Sequence, residues 1–211
     1  MFSLVFPGQG SQTVGMARDF YQNFDLVKKL FNQADEILGI KISQTILEGP
    51  KEDLDMTENT QPAIFLVGYS IYQVAIKEFN LNLNEATFAA GHSLGEYTAL
   101  SCLGSLKFSD GLKILKIRGK SMQNSVPAGE GGMIAVIGVT IEELDKIILD
   151  NTNNFNCYIA NDNTNGQVVV SGKTDQLKKF MDILKENKIK NIKLPVSAPF
   201  HCPLMNKASE I

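Results

Sequence analysis

The residues that most constrain this chain are Gly91-His92-Ser93-Leu94-Gly95, because of what stands on either side of them. Residues 86–91, ATFAAG, form a short apolar run that predicts a buried strand, and residues 95–103 resume helical character. A strand that enters a helix through G-x-S-x-G puts the serine on a sharp turn, with its hydroxyl pushed outward and the positive end of the helix beside it. The small flanking glycines let the backbone bend. Such a turn belongs at the carboxyl end of a strand in an α/β core, and it makes Ser93 the best nucleophile in the sequence. The competing reading is a glycine-bounded turn whose serine only caps the helix.

The neighbouring segments agree with an α/β class. Residues 2–6, FSLVF, followed by PGQGSQ, read as a buried strand and a glycine-rich turn. Helical spacing covers 25–38. Thr60 and Pro62 predict the start of a helix that runs through Phe79, and a further helix runs from about Ser109 to Ser125, before the hinge PAGEGG. Residues 133–139 predict a strand, and Thr140 with Glu143 makes a capping box that opens a helix to about Asp150. Strands over 156–161 and 167–172 then flank an Asn/Gly-rich turn, followed by a helix over 174–187 and a strand over 189–194. The order βαββαβ is that of a ferredoxin-like unit. The expected layout is a larger α/β core over 1–127 and 196–211, with a small subdomain inserted over 128–195. Pro203 to Ile211 have helical composition without a closing cap, so the fold is expected to continue past them.

Composition removes several function classes. With 44% hydrophobic and 20% charged residues the 211-residue chain has the material for a real core. Twenty Lys+Arg against 23 Asp+Glu leave a net charge of −3, with no basic run, so a nucleic-acid partner is not expected. Cys102, Cys157 and Cys202 are odd in number and widely spaced, which argues against a disulfide framework or a metal cluster and for a reducing, cytoplasmic setting. The N-terminus lacks a basic export signal, and no stretch approaches the ~18 apolar residues of a membrane span.

A serine nucleophile needs a base, and the chain has two histidines. His92 adjoins Ser93, where side chains diverge in a sharp turn, so it is better suited to supporting the turn. His201 sits in the proline-rich loop 195–203, which can hold an imidazole rigidly, and it is the candidate base. The Leu94 N–H follows the serine and is the standard oxyanion donor. Gln9, in the loop after the first strand, could supply the second donor from its backbone or its side chain, although that loop also reads as a plain glycine-rich turn. Arginine occurs only at Arg18 and Arg118. At 100° per residue Lys113, Lys116 and Lys120 share one helix face, while Arg118 lies among Gly111, Ile114, Leu115 and Met122 and points inward. A guanidinium there suits bidentate pairing with a carboxylate or phosphate, or a buried ion pair with an acid of the chain itself.

Taken in order, PGQGSQ, GHSLGEYTAL, IRGKSMQ and PVSAPFHCPLM closely resemble the malonyl-CoA:acyl carrier protein transacylases of bacterial-type fatty acid synthesis, over essentially all 211 residues. The resemblance implies a hydrolase-like core with a ferredoxin-like insert. It implies Ser93 as the nucleophile that carries malonyl as an ester, His201 as general base and later acid, Gln9 and the Leu94 amide in the oxyanion hole, and Arg118 on the malonate carboxylate. Asn161 and Asn163, in the turn IANDNTNGQ, resemble positions that line the pocket; His92 is counted with them, and Phe200 resembles the malonyl-selecting form of its loop. The implied reaction is ping-pong transfer from malonyl-CoA to the phosphopantetheine thiol of acyl carrier protein, by a cytoplasmic monomer without metal or bound cofactor. Lysines of the 109–125 helix are candidates for meeting the acidic carrier. Family members continue beyond the equivalent of residue 211, so the chain is expected to be a C-terminally truncated member. A serine esterase or thioesterase, an excised polyketide-type acyltransferase, and a fragment that only binds are the alternatives.

Overall fold

A chain that alternates short apolar runs with amphipathic segments has to pack helices onto sheets, and it does so twice here. The computed structural model describes residues 1–127, 129–151, 153, 155–196 and 198–210. Ala128 of the expected hinge, Ser197 of the proline-rich loop and Ile211 therefore lie outside the described residues. Contacts divide the chain into two units, Met1–Lys120 and Ser121–Ile211.

The first unit runs β1 (Ser3–Phe6), α1 (Arg18–Asn23), α2 (Asp25–Leu38), α3 (Ile42–Leu47), α4 (Lys51–Asp55), α5 (Thr57–Lys77), a short 3-10 turn (Leu83–Glu85), β2 (Phe88–Gly91), α6 (Gly95–Cys102) and α7 (Phe108–Asn124), whose last turn passes the division. Strands β1 and β2 pair in parallel, from Ser3 opposite Phe88 to Phe6 opposite Gly91. The loops that follow both strands thus leave the sheet at one end, where α/β folds gather their chemistry. The core is helical. Val27, Phe31 and Ala34 recur at helical spacing along α2 and pack with Ala63, Phe65 and Leu66 of α5, with Leu112 and Leu115 of α7, and with Leu94.

Helix α5 starts earlier than Thr60 and Pro62 suggest. Its first residue is Thr57, and Pro62 lies inside it. The Thr60 hydroxyl does not cap; it donates chiefly to Leu54 O at 2.6 Å, with Met56 O at 3.1 Å, where α4 ends. The short helices α1, α3 and α4 carry too few turns for periodicity to reveal, and no reading of spacing announces them.

The second unit continues with β3 (Gly131–Ile137), α8 (Ile141–Asp150), β4 (Cys157–Thr164), β5 (Gln167–Lys173), α9 (Thr174–Glu186), β6 (Lys190–Lys193), a 3-10 turn (Pro203–Met205) and α10 (Asn206–Ser209). The sheet order is β4-β5-β3-β6, every neighbouring pair antiparallel, which is the ferredoxin-like arrangement expected from βαββαβ. The capping box forms: Thr140 Oγ1 accepts from Glu143 N and Glu143 Oε2 from Thr140 N.

Strand β3 is buried on both faces, as its unbroken apolar run requires. Ile134 and Val136 join Val168, Val170, Leu144, Leu177 and Phe180 under α8 and α9. Met133 and Ala135 face the other way, against Val169, Ala198, Phe200 and Met205. Ala198, Phe200 and Met205 pack on the face of the small sheet that α8 and α9 leave open. Among the described residues no helix is long and apolar enough to cross a membrane.

Candidate active site

Ser93 sits between β2 and α6 with φ of 53°, a left-handed conformation that costs a side-chain-bearing residue about 1–3 kcal/mol. The glycines around it explain how the turn closes. A Cβ on Gly91 would lie 1.9 Å from Gly95 C, and one on Gly95 would lie 2.4 Å from Phe6 O, so the turn folds onto itself and onto the end of β1. Ser93 does not occupy the N-cap of α6; Leu94 does. The hydroxyl instead accepts a hydrogen bond from Arg118 Nη2 at 3.1 Å, so the competing reading of a merely capping serine is not what forms.

Arg118 reaches the turn because α7 crosses the start of α5 closely. A Cβ on Gly119 would lie 2.6 Å from Thr57 O and 2.7 Å from Glu58 Cα, so only hydrogen fits at the crossing. The half-buried guanidinium donates from Nη1 to Gln61 Oε1 at 2.7 Å, and its Cζ stands 5.7 Å from the centre of the Tyr97 ring. Burial pushes its pKa down from the ordinary value, while Tyr97 and Glu96 pull it back up. Among the described residues no carboxylate closes an ion pair with it, which sets aside a buried ion pair with an acid of the chain.

The loop after β1 supplies the neighbouring surface. Gln9 Nε2 donates to Thr57 Oγ1 at 3.4 Å, and Gln12 fixes the loop by accepting from Gly10 N and donating to Asp55 Oδ1. No acceptor among the described residues takes the backbone N–H of Gln9 or of Leu94, so both donors of the expected oxyanion hole are open. His92 is exposed, with its ring against Gly8. That position sets the His92 ring beside the loop that follows β1.

The second unit carries the other candidates. His201 is exposed and has φ of 56°, again left-handed. Its loop is fastened from beneath: Ser171 Oγ donates to the Phe200 carbonyl, Pro199 is seated against Gly131, and Cys202 Sγ donates to Pro199 O. The Phe200 side chain is buried in the cluster that covers the small sheet. Asn161 and Asn163 are not in the turn that the sequence suggested. Both belong to β4, which runs on to Thr164 through two register shifts against β5, and Asn163 Nδ2 lies 3.5 Å from Gln167 Oε1. Asparagine-rich sequence reads as turn because its side chains favour one, but cross-strand pairing overrides that preference here. Lys116 also departs from its expected solvated face: its Nζ donates to Asn59 at 3.0 Å and stands 3.7 Å from Glu58.

Sequence reasoning missed Gln61, Tyr97 and Gly119. The available signal was a polar residue inside an apolar helical stretch and a glycine beside the inward-facing arginine. Among the described residues no group of three or more His, Cys, Asp or Glu could hold a metal.

Comparison with known proteins adds the following. The family described as acyl transferase domain matches residues 3–211. The chain is 40% identical over 210 residues to a malonyl CoA-acyl carrier protein transacylase of Bacillus subtilis, covering 99% of this chain and 65% of that protein. A malonyl CoA-acyl carrier protein transacylase of Clostridium perfringens superposes with a TM-score of 0.90 at 41% identity, over 99% of this chain and 65% of that one. A malonyl-transacylase solved in complex with a type II PKS acyl-carrier protein does so with 0.92 at 36% identity, over 99% and 67%. The chain thus spans about two thirds of the length of these relatives, 65% of the first.

Proposed function

Because this chain belongs to the acyl transferase domain family, we propose that it takes a malonyl group from malonyl-CoA onto Ser93 and passes it to the phosphopantetheine thiol of an acyl carrier protein, as in fatty acid biosynthesis. The observation that carries this reading is Arg118 Nη2 at 3.1 Å from Ser93 Oγ. A guanidinium that makes no ion pair among the described residues, beside a serine on a strained turn, suits an acyl group that brings its own carboxylate. By accepting from Arg118, Ser93 keeps its own proton for a base.

In the first half-reaction Ser93 Oγ adds to the thioester carbonyl carbon, its proton passes to the His201 imidazole, and the Leu94 and Gln9 N–H groups hold the oxyanion. The C–S bond then breaks, and the coenzyme A sulfur takes the proton. In the second half the carrier thiol gives its proton to His201, its sulfur attacks the ester carbonyl, and Ser93 leaves with that proton. Asn161, Asn163 and Phe200 are read as substrate-binding residues, and His92 with them as support for the turn. We take the hydrolase-like core as 1–127 with 196–211 and the insert as 128–195. The reading needs no metal or resident cofactor, and its setting is a monomer in the cytoplasm. The relative solved with a carrier protein supports the choice of partner.

Intact-protein mass spectrometry after brief exposure to malonyl-CoA tests it. The expected result is a malonyl adduct on the parent, none on Ser93→Ala, and discharge of the adduct by carrier protein. A folded parent that gains no adduct would overturn the proposal for this chain.

A further inference from the structure

The crossing of α5 and α7 holds two cations and treats them differently. Lys116 receives a carboxylate, Glu58 at 3.7 Å, together with the Asn59 amide. Arg118, two residues further along the same helix, receives Gln61 Oε1 at 2.7 Å, a neutral acceptor on a side chain only 1% exposed. A buried amide at that place does two things at once. It fixes the guanidinium, since a buried polar group and its partner hold each other in one geometry. It also adds no negative charge of its own, whereas a glutamate of nearly the same shape would pair with the guanidinium through two parallel hydrogen bonds. Gln61 and Ser93 each take one of the five N–H donors of the guanidinium and Tyr97 engages it as well, which leaves donors for an incoming anion.

We propose that Gln61 is a positioning residue that determines acyl specificity: it aims Arg118 at the carboxylate of the acyl group and, by being neutral, keeps the arginine's charge available to that carboxylate. This rests on the reading of Arg118 as the anion-binding group of the proposed reaction. Gln61 touches no reacting atom; it acts through Arg118.

The test uses the 211-residue chain, its Gln61→Glu and Gln61→Met variants, and two donors that share the coenzyme A moiety, malonyl-CoA and acetyl-CoA. Initial rates of Ser93 loading are read by intact mass. The malonyl-to-acetyl ratio is expected to fall by roughly tenfold or more in Gln61→Glu. In Gln61→Met, which drops the acceptor without adding charge, the KM for malonyl-CoA rises while acetyl loading holds. A purely structural lesion would lower both donors together and leave the ratio alone. A second readout needs no turnover: sodium malonate is titrated against the Arg118 Nε–H signal, which is simple to assign because the chain has only two arginines, Arg18 and Arg118. Weaker malonate binding in Gln61→Glu upholds the inference. An unchanged loading ratio or unchanged malonate affinity in a folded Gln61→Glu chain overturns it. A parent that loads neither donor sinks the acyl-transfer reading, and the malonate titration then decides Gln61 alone, with equal affinities in parent and variant counting against it.

Discussion

Ser93 and His201 are two of the few non-glycine residues with positive φ, at 53° and 56°, and each is held there by neighbours rather than by its own preference. For Ser93 the holding comes from the packing of Gly91 and Gly95 against the turn and the end of β1. For His201 it comes from the Ser171 hydroxyl on the Phe200 carbonyl and from Pro199 against Gly131. Gly95→Ala would put a Cβ 2.4 Å from Phe6 O and 2.8 Å from Pro7 O, two backbone atoms that cannot swing aside. It should destabilise the chain by about 3 kcal/mol or more. A urea titration measures this, and a midpoint equal to that of the parent would mean that β1 is not fixed against the turn as described.

Among the elements, the crossing of α5 and α7 decides the most. Gly119 sits where α7 meets Thr57 O and Glu58 Cα, and this closeness lets Arg118 touch both Gln61 and Ser93. Gly119→Ala would pry the helices apart at a cost of about 1–3 kcal/mol. Its expected signature is a lowered melting temperature together with a loss of malonyl preference, since Arg118 moves away from the serine. A variant that melts lower yet keeps its donor preference would show that the crossing stabilises the fold without setting the site. Helix α8 is different: its start is written locally, in a Thr140–Glu143 box whose two hydrogen bonds span three residues. Its existence was therefore legible in the sequence, whereas the start of α5 was not, because the Thr60 hydroxyl is drawn to carbonyls at the end of α4.

For the whole molecule, both units bury a thiol. Burial pushes Cys102 and Cys157 up to about 12 from an ordinary value of 9.0, and raises Tyr69 and Tyr72 as well. The folded chain therefore keeps protons that the unfolded chain releases once pH passes 9.0. Stability from this source is fully present below that pH and declines as pH climbs toward 12. Urea midpoints should fall across that window, and iodoacetamide should label Cys102 and Cys157 slowly in the folded chain and readily once it is unfolded. Fast labelling of the folded chain near pH 9.0 would contradict the burial of these thiols.

By itself, the sequence determined what short-range sterics and periodicity can write: the strand-to-helix turn at Ser93, the capping box at Thr140, the βαββαβ order of the second unit, and an arginine facing inward on α7. Each depends on residues a few positions apart, whose geometry the backbone imposes wherever they occur. What that arginine meets was decided only by the tertiary structure, since Gln61 is 57 residues away and becomes its neighbour only when two helices cross at a glycine. The extended course of Asn161 and Asn163 and the packing of Ala198, Phe200 and Met205 on the open face of the small sheet were settled in the same way. Pairing and coverage are satisfied by whichever distant segment arrives, and no local pattern names that segment in advance.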